Sequence, residues 1–452
     1  MSGPGALTGT AAGASRSPDD PRESIAIAPL SALQIGIIAV LFCLNALDGF
    51  DVLAISFALP GIARGWAVSP GELGVVISIG LGATGASSLL LAPLADRIGR
   101  RPMILLSLAV MTAGMLVCAL APGVLMLATG RLLTGVGVGA IVPCISALAA
   151  VYANRRYRDL AVVVVAVGFP AGGLLGGTLA SLLLSHFDWR SVFVAGAVTT
   201  GVLMLAPIFY LPESIEYLIV RRHAHARINA ILMRLGRPSI QALPVATAQA
   251  TGTSLVDILV RPQLLGIALF LTLAYGLHNA TLYYALNWLP KMVVDLSLSQ
   301  AQAATVAAWC SGGGIVGGLA AAWLSARFNI RPLTAAALFG TAALLWIFAH
   351  TPGQMSALIA ASAVLGAFLY GGQTSLYALM TRSFPVEVRA TGVGFVTGAG
   401  RWGSILSPIV SGDLLGAGLH HSQIATLMAL GSLIGSVILL LAVQRRESPA
   451  RA

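Results

Sequence analysis

Two aspartates three residues apart, Asp48 and Asp51, interrupt the apolar run LNALDGFDVLAISFALP. A carboxyl group in such a run can bind and release a proton, and an acid inside a membrane segment is a functional feature by default. On the insertion scale about 14 strongly apolar residues, at roughly −0.3 to −0.6 kcal/mol each, nearly cancel against roughly +2.5 to +3.5 for each central Asp. The helix is marginal in lipid alone, so the acids need a function or a partner. They stand about 60° apart around a helix, with Asn45 extending the stripe, and can face one polar cavity. A structural polar cluster bonded to a neighbouring helix is the other reading of the same pattern.

Two basic residues fall deep in the expected spans, Arg131 and Arg401. Arg401 lies about ten residues into its helix, which at 1.5 Å per residue is about 15 Å, or mid-bilayer. Its guanidinium matches a carboxylate through two parallel hydrogen bonds, which makes it the candidate for a substrate anion. It could equally be an internal counter-ion for Asp48 or Asp51. Flat walls and a few polar groups would suit an aromatic ligand. LAYGLHNATLYYALNWLP brings Tyr275, His278, Asn279 and Asn287 into one helix, with Tyr283 and Tyr284 nearer the interfacial end. Tyr370, Gln373 and Tyr377 are spaced to share a helix face, and Trp309 is a further candidate wall. His278 could serve a proton relay or simply pack.

The elements that position these residues follow from composition. With 57% hydrophobic and 9% charged residues and a mean hydropathy of +0.89, the 452-residue chain has too little polar surface for a soluble globule. The net charge of +10 falls in short clusters between apolar runs, which fits membrane topology and no nucleic-acid surface. The four cysteines lie in apolar stretches without metal-ligand spacing and read as packing residues. No phosphate-binding GxxxxGK[ST] loop, catalytic triad or metal constellation is present in the sequence, so the expectation is a non-enzyme that uses no cofactor and is not driven by ATP hydrolysis.

Spans of roughly 20 apolar residues are expected near 32–60, 73–94, 102–121, 124–151, 160–184 and 191–211, then 263–289, 301–325, 332–350, 354–380, 390–416 and 422–443. The expected organisation is a disordered cytoplasmic tail (1–31), a six-helix bundle (32–211), a polar, basic cytoplasmic linker (212–262), a second six-helix bundle (263–443) and a short tail (444–452). Arg97, Arg100, Arg101, Arg155, Arg156 and Arg158, with the linker and tail arginines, fall on one side. Positive charge is retained inside, so both termini are expected in the cytoplasm.

The segment ADRIGRRP places Asp96, Arg97, Gly99 and Arg100 in a tight turn after the second span, where an acid among arginines could bond to helix ends across an interface between halves. WLSARFNIRP, with Arg327, is its weaker echo in the second half. With RLLTGVGVG, GFPAGGLLGG and LPES, these segments resemble the signature motifs of the major facilitator superfamily. LDGFD, NWLP, RATGVGF and GRWGSILSP resemble, within it, the aromatic acid:proton symporter family.

The resemblance implies an all-α membrane protein of the major facilitator fold, with 12 transmembrane helices in two six-helix bundles. It implies uptake of an aromatic carboxylate or related small organic acid, driven by protons across a bacterial inner membrane by a monomer in the lipid bilayer. It also implies a role for Arg131 in proton coupling, while a buried anchor is the plainer reading. Asp96, Arg97, Gly99, Arg100, Arg327, Glu387 and Arg389 form the expected gating set. Ala92, Val151 and Ala326 depart from the family pattern, and the second-half gate thereby lacks its usual carboxylate. Two rival readings are a proton-coupled exporter of drugs or other organic compounds, suggested by GFPAGGLLGG, and a membrane receptor that binds acids without moving them.

Overall fold

A computed structural model describes residues 20–221, 225–243, 261–385 and 388–447. Among them the regular structure is helical, with no strand. The first half comprises α1 (Pro21–Ile27), α2 (Ala32–Trp66), α3 (Pro70–Leu90), α4 (Ala92–Ile98), α5 (Arg100–Ala119), α6 (Val124–Tyr152), α7 (Arg158–Leu184), α8 (Arg190–Leu203) and α9 (Leu205–Phe209). The short α10 (Ile215–Val220) and α11 (His225–Arg234) follow. The second half comprises α12 (Pro262–Asp295), α13 (Gln300–Arg327), α14 (Ile330–Ala349), α15 (Met355–Ser383), α16 (Arg389–Ala399), α17 (Trp402–Gly416) and α18 (His421–Glu447).

Among the described residues, eleven helices are long and apolar enough to cross a membrane, with α8 and α9 counted as one. The twelfth crossing is α16 followed end to end by α17. Starts are fixed locally. Ser31 with Gln34, Ser69 with Glu72 and Ser299 with Gln302 form reciprocal capping boxes that satisfy the first amides of α2, α3 and α13. Pro60, Pro143, Pro170, Pro290 and Pro408 sit inside spanning helices, where neighbouring groups can re-satisfy the freed carbonyls.

Four expectations need correction. The leading tail is not wholly without structure: residues 1–19 lie outside the described residues, but Asp20 caps the helix Pro21–Ile27. The linker carries two short helices, while 222–224 and 244–260 lie outside the described residues. ADRIGRRP is a short helix ending at Ile98 and then a turn at Gly99, whose φ of +104° suits a residue without a side chain. The span expected over 390–416 is broken. Bonds from the amides of Arg401 and Gly403 run only three residues back, to Gly398 at 3.3 Å and Gly400 at 3.4 Å. Arg401 therefore stands at a helix break, not within a continuous helix.

Candidate functional site

The orientation of α2 is set by its contact with α7. Gly49 lies against the backbone of Phe169, Gly168 against that of Phe42, and Gly172 against that of Ala46, each too close for a β-carbon. Small residues that let backbones meet are how membrane helices pack, since lipid gives no hydrophobic drive between them. Pro170 has no amide to donate to the carbonyl of Ala166, and the Asn45 side chain donates there at 3.3 Å and to the Val165 carbonyl at 2.8 Å. Asn45 is thus spent on the scaffold. Its work turns Asp48 and Asp51 inward, where they are 5% and 1% exposed.

The two acids face different cations. Arg131 of α6, 2% exposed, donates through Nη1 to the backbone carbonyl of Asp51 at 3.1 Å and stands 3.6 Å from its Oδ1. The Thr134 hydroxyl also interacts with the Asp51 carboxylate, while Oδ1 of Asp48 has no hydrogen-bond partner among the described residues. The cation whose charge acts on Asp48 is Arg401, from the other half. α3 runs between the two arginines and yields to both: Gly80 lies beside the Arg131 guanidinium and Gly85 beside the Arg401 stem.

The break at Arg401 is held by α12. The Trp402 ring covers Gly276, Gly403 touches the Gly276 backbone, and the Tyr275 ring covers Gly400. Around it lies a cluster of phenols. Tyr275 and Tyr377 meet hydroxyl to hydroxyl at 3.0 Å with rings edge to face at 5.8 Å, and Gln373 donates to the Tyr275 hydroxyl at 3.2 Å. Tyr283 lies within electrostatic reach of both Arg401 and Asp48. Tyr370 of α15 faces Phe169 of α7 with ring centroids 6.3 Å apart. The Asn279 and Gln373 side-chain oxygens have no partner among the described residues, and the Tyr370 and Ser311 hydroxyls lie against each other. One guanidinium, aromatic faces and uncommitted polar atoms can receive a flat carboxylate with polar substituents.

Three expected ligand residues lie elsewhere. His278 is fully buried between Ser432 Oγ at 2.9 Å and the Leu369 carbonyl at 3.3 Å, so it ties α12 to α18 and α15. Asn287 accepts from Ser56 at 3.1 Å and donates to the Tyr283 carbonyl at 2.7 Å, which makes it a link between halves. Trp309 is 49% exposed on one stripe with Val316 and Trp323, while the other faces of α13 meet α7 and α15. That stripe is the lipid-facing side.

The expected gate residues bond within their own half. The Arg100 and Arg101 amides donate to the Glu213 carboxylate at 3.0 and 3.2 Å, and the Arg97 carbonyl accepts from Tyr217 and Arg221. Gly99 leaves no room for a β-carbon beside Glu213. Asp96 is exposed without a hydrogen bond or ion pair among the described residues. Arg327 stacks on Trp323 at 4.1 Å, Arg389 reaches the Phe384 carbonyl at 3.5 Å, and Glu387 lies outside the described residues. Sequence reasoning missed Glu213, Phe169 and the weight of Tyr283. LPES and GFPAGG held the first two, but nothing local said which way either side chain points.

The side-chain hydrogen bonds between halves lie on the membrane side away from the termini. Ser56 meets Asn287, Ser78 donates to the Ile405 carbonyl at 2.7 Å, and Ser181 bonds the Ala301 carbonyl at 2.7 Å and Thr305 at 2.9 Å. Among the described residues no such bond closes the side that bears the termini. The centre is sealed on one side.

Comparison with known proteins identifies the family and the fold. The family model described as Major Facilitator Superfamily matches residues 41–408 and, overlapping, 271–452. A gallate transporter of Pseudomonas putida is 31% identical over 94% of this chain and 95% of its own length. The 4-hydroxybenzoate transporter PcaK of Acinetobacter baylyi is 30% identical over 91% and 92%. A D-xylose-proton symporter structure superposes with a TM-score of 0.70 at 15% identity, covering 90% of this chain and 97% of that one.

Proposed function

This chain belongs to the major facilitator superfamily, in its aromatic acid transporter family, and from that premise we propose that it takes up an aromatic carboxylate together with protons by alternating access. It is a transporter, not an enzyme. The proposed setting is a bacterial inner membrane with both termini cytoplasmic, in which case the side on which the halves bond to each other faces outward.

The observation that carries the reading is the division of labour between cations. Arg131 is paired with Asp51 within the first half, whereas Arg401, from the second half, acts on Asp48 through its charge without an ion-pair contact. Protonation of Asp48 removes the charge that competes for Arg401, and the guanidinium then accepts a substrate carboxylate in its place. Proton and anion therefore load together. The aromatic ring lies among Phe169, Tyr370, Tyr283 and Tyr377, with Gln373 and Asn279 available to ring hydroxyls. Because the Asp48–Arg401 attraction spans the halves, its neutralisation also weakens a tie between them, which couples loading to rocking. The inside-negative potential assists the cycle when at least one proton accompanies each carboxylate charge.

The test is uptake of labelled gallate and 4-hydroxybenzoate into proteoliposomes under an imposed pH gradient of either sign. Accumulation that follows an inward proton gradient supports symport. Accumulation against it would support export, and counterflow without response to pH would reject proton coupling.

A further inference from the structure

The two halves differ at one corner, where one arginine is tied to the chain and its counterpart is not. In ADRIGRRP and SARFNIRP, Arg101 and Arg331 occupy the same place in the two halves, each followed by Pro at the start of the third helix of its bundle. In the first half the corner is closed by the chain itself. The Arg101 guanidinium donates to the carbonyls of Pro207 at 3.3 Å and Ile208 at 2.6 Å, and the amides at the start of α5 hold the Glu213 carboxylate. That carboxylate is an anion at a helix N-terminus, where dipole and free amides favour it.

In the second half the Arg331 guanidinium has no hydrogen-bond or ion-pair partner among the described residues. It opens instead onto a groove of about 510 Å³ between the ends of α12, α15 and α18 that lie on the side of the termini. The groove is amphiphilic along its length. Arg331, Gln263 and Ser383 stand at the polar end, and Ile267, Phe270, Leu379 and Ile438 form apolar walls. Its volume is that of an ordinary ligand pocket. Gly266 in its wall has open space where a side chain would project.

We propose that this groove binds an anionic phospholipid of the leaflet on the side of the termini, with the phosphate at Arg331 and the N-terminus of α14 and one acyl chain along Phe270 and Ile438. The charge complements the unpaired guanidinium, and the apolar walls open where acyl chains run in the bilayer. The chain that follows the groove brings Arg445 and Arg446 in sequence, so a free carboxylate from the tail is the poorer complement. Basic residues near the surface favour anionic lipid by about 1 kcal/mol each.

Native mass spectrometry of the full chain, purified with equimolar phosphatidylglycerol and phosphatidylcholine, tests this directly. Wild type should retain phosphatidylglycerol selectively. Arg331→Gln should lower that retention about fivefold, as loss of about 1 kcal/mol implies. Gly266→Phe should fill the groove and lower retention of both lipids, with unchanged unfolding temperature showing that the fold is intact. Glu447→Gln should leave retention unchanged. Equal retention of the two lipids by wild type, or unchanged retention in both groove variants, overturns the proposal. So does a marked rise in Glu447→Gln, which would make the tail carboxylate the occupant.

Discussion

Arg131 grips the backbone carbonyl of Asp51 at 3.1 Å while standing 3.6 Å from its carboxylate. The guanidinium is therefore anchored whether or not the carboxylate carries a proton. Asp51→Asn and Asp48→Asn proteins are expected to fold and to exchange labelled substrate across proteoliposomes at equilibrium. Their accumulation should no longer respond to an imposed pH gradient. Gradient-driven uptake at the wild-type level in both would remove the carboxyl groups from the coupling role.

Arg401 is expected to hold the substrate carboxylate through two N–H groups, which a lysine cannot reproduce. A charged hydrogen bond contributes about 1.5–3 kcal/mol, so Arg401→Lys should raise the half-saturating concentration by about 10- to 100-fold. Arg401→Gln should abolish uptake. Titration of 4-hydroxybenzoate uptake in whole vesicles distinguishes the two, and a lysine variant with unchanged affinity would assign Arg401 to the acids alone.

Gly172 touches the backbone of Ala46, where no side-chain adjustment can make room. Gly172→Leu should destabilise the α2–α7 contact by about 1–3 kcal/mol, the usual cost of overpacking. Gly82, which has open space beside it, is the control. Thermal unfolding in detergent should show a lowered midpoint for the first and a midpoint near wild type for Gly82→Ala.

Ser56 and Asn287 join the halves on the side away from the termini. Removing that bond in Ser56→Ala costs the closed form about 0.5–1.5 kcal/mol. The population open to the opposite side should rise by about two- to tenfold. Thiol labelling of a cysteine introduced at Tyr283 measures it, from each side of right-side-out vesicles. Unchanged accessibility would show that the close backbone contacts of Gly74 with Pro408 and of Gly412 with Pro70, between α3 and α17, hold that side by themselves.

Much of the centre was legible from residue types. Asp48, Asp51, Arg131 and Arg401 are costly in lipid, so each stands out in an apolar chain, and Asp48, Asp51 and Arg131 are buried in the fold. Tyr275, Gln373 and Tyr377, from two helices, meet in one hydroxyl cluster. His278 and Trp309 misled because a helix that is apolar on every face carries no periodic signal separating core, cavity and lipid. Asn287 misled for a related reason, since a polar side chain near the centre can serve the joint between halves as well as a ligand.

The sequence by itself determined the membrane class, the twelve crossings and the family motifs, because insertion and topology depend on sums of residue energies along the chain. It also determined which residues are charged inside the membrane. Only the tertiary structure decided that Arg131 pairs with Asp51 and that Arg401 stands free of an acid partner among the described residues, because partner choice depends on how far glycines let helices approach and turn. Gly49 and Gly172 set the rotation of α2, and the break beside Gly400 sets the position of Arg401. Neither distance is encoded in any one segment.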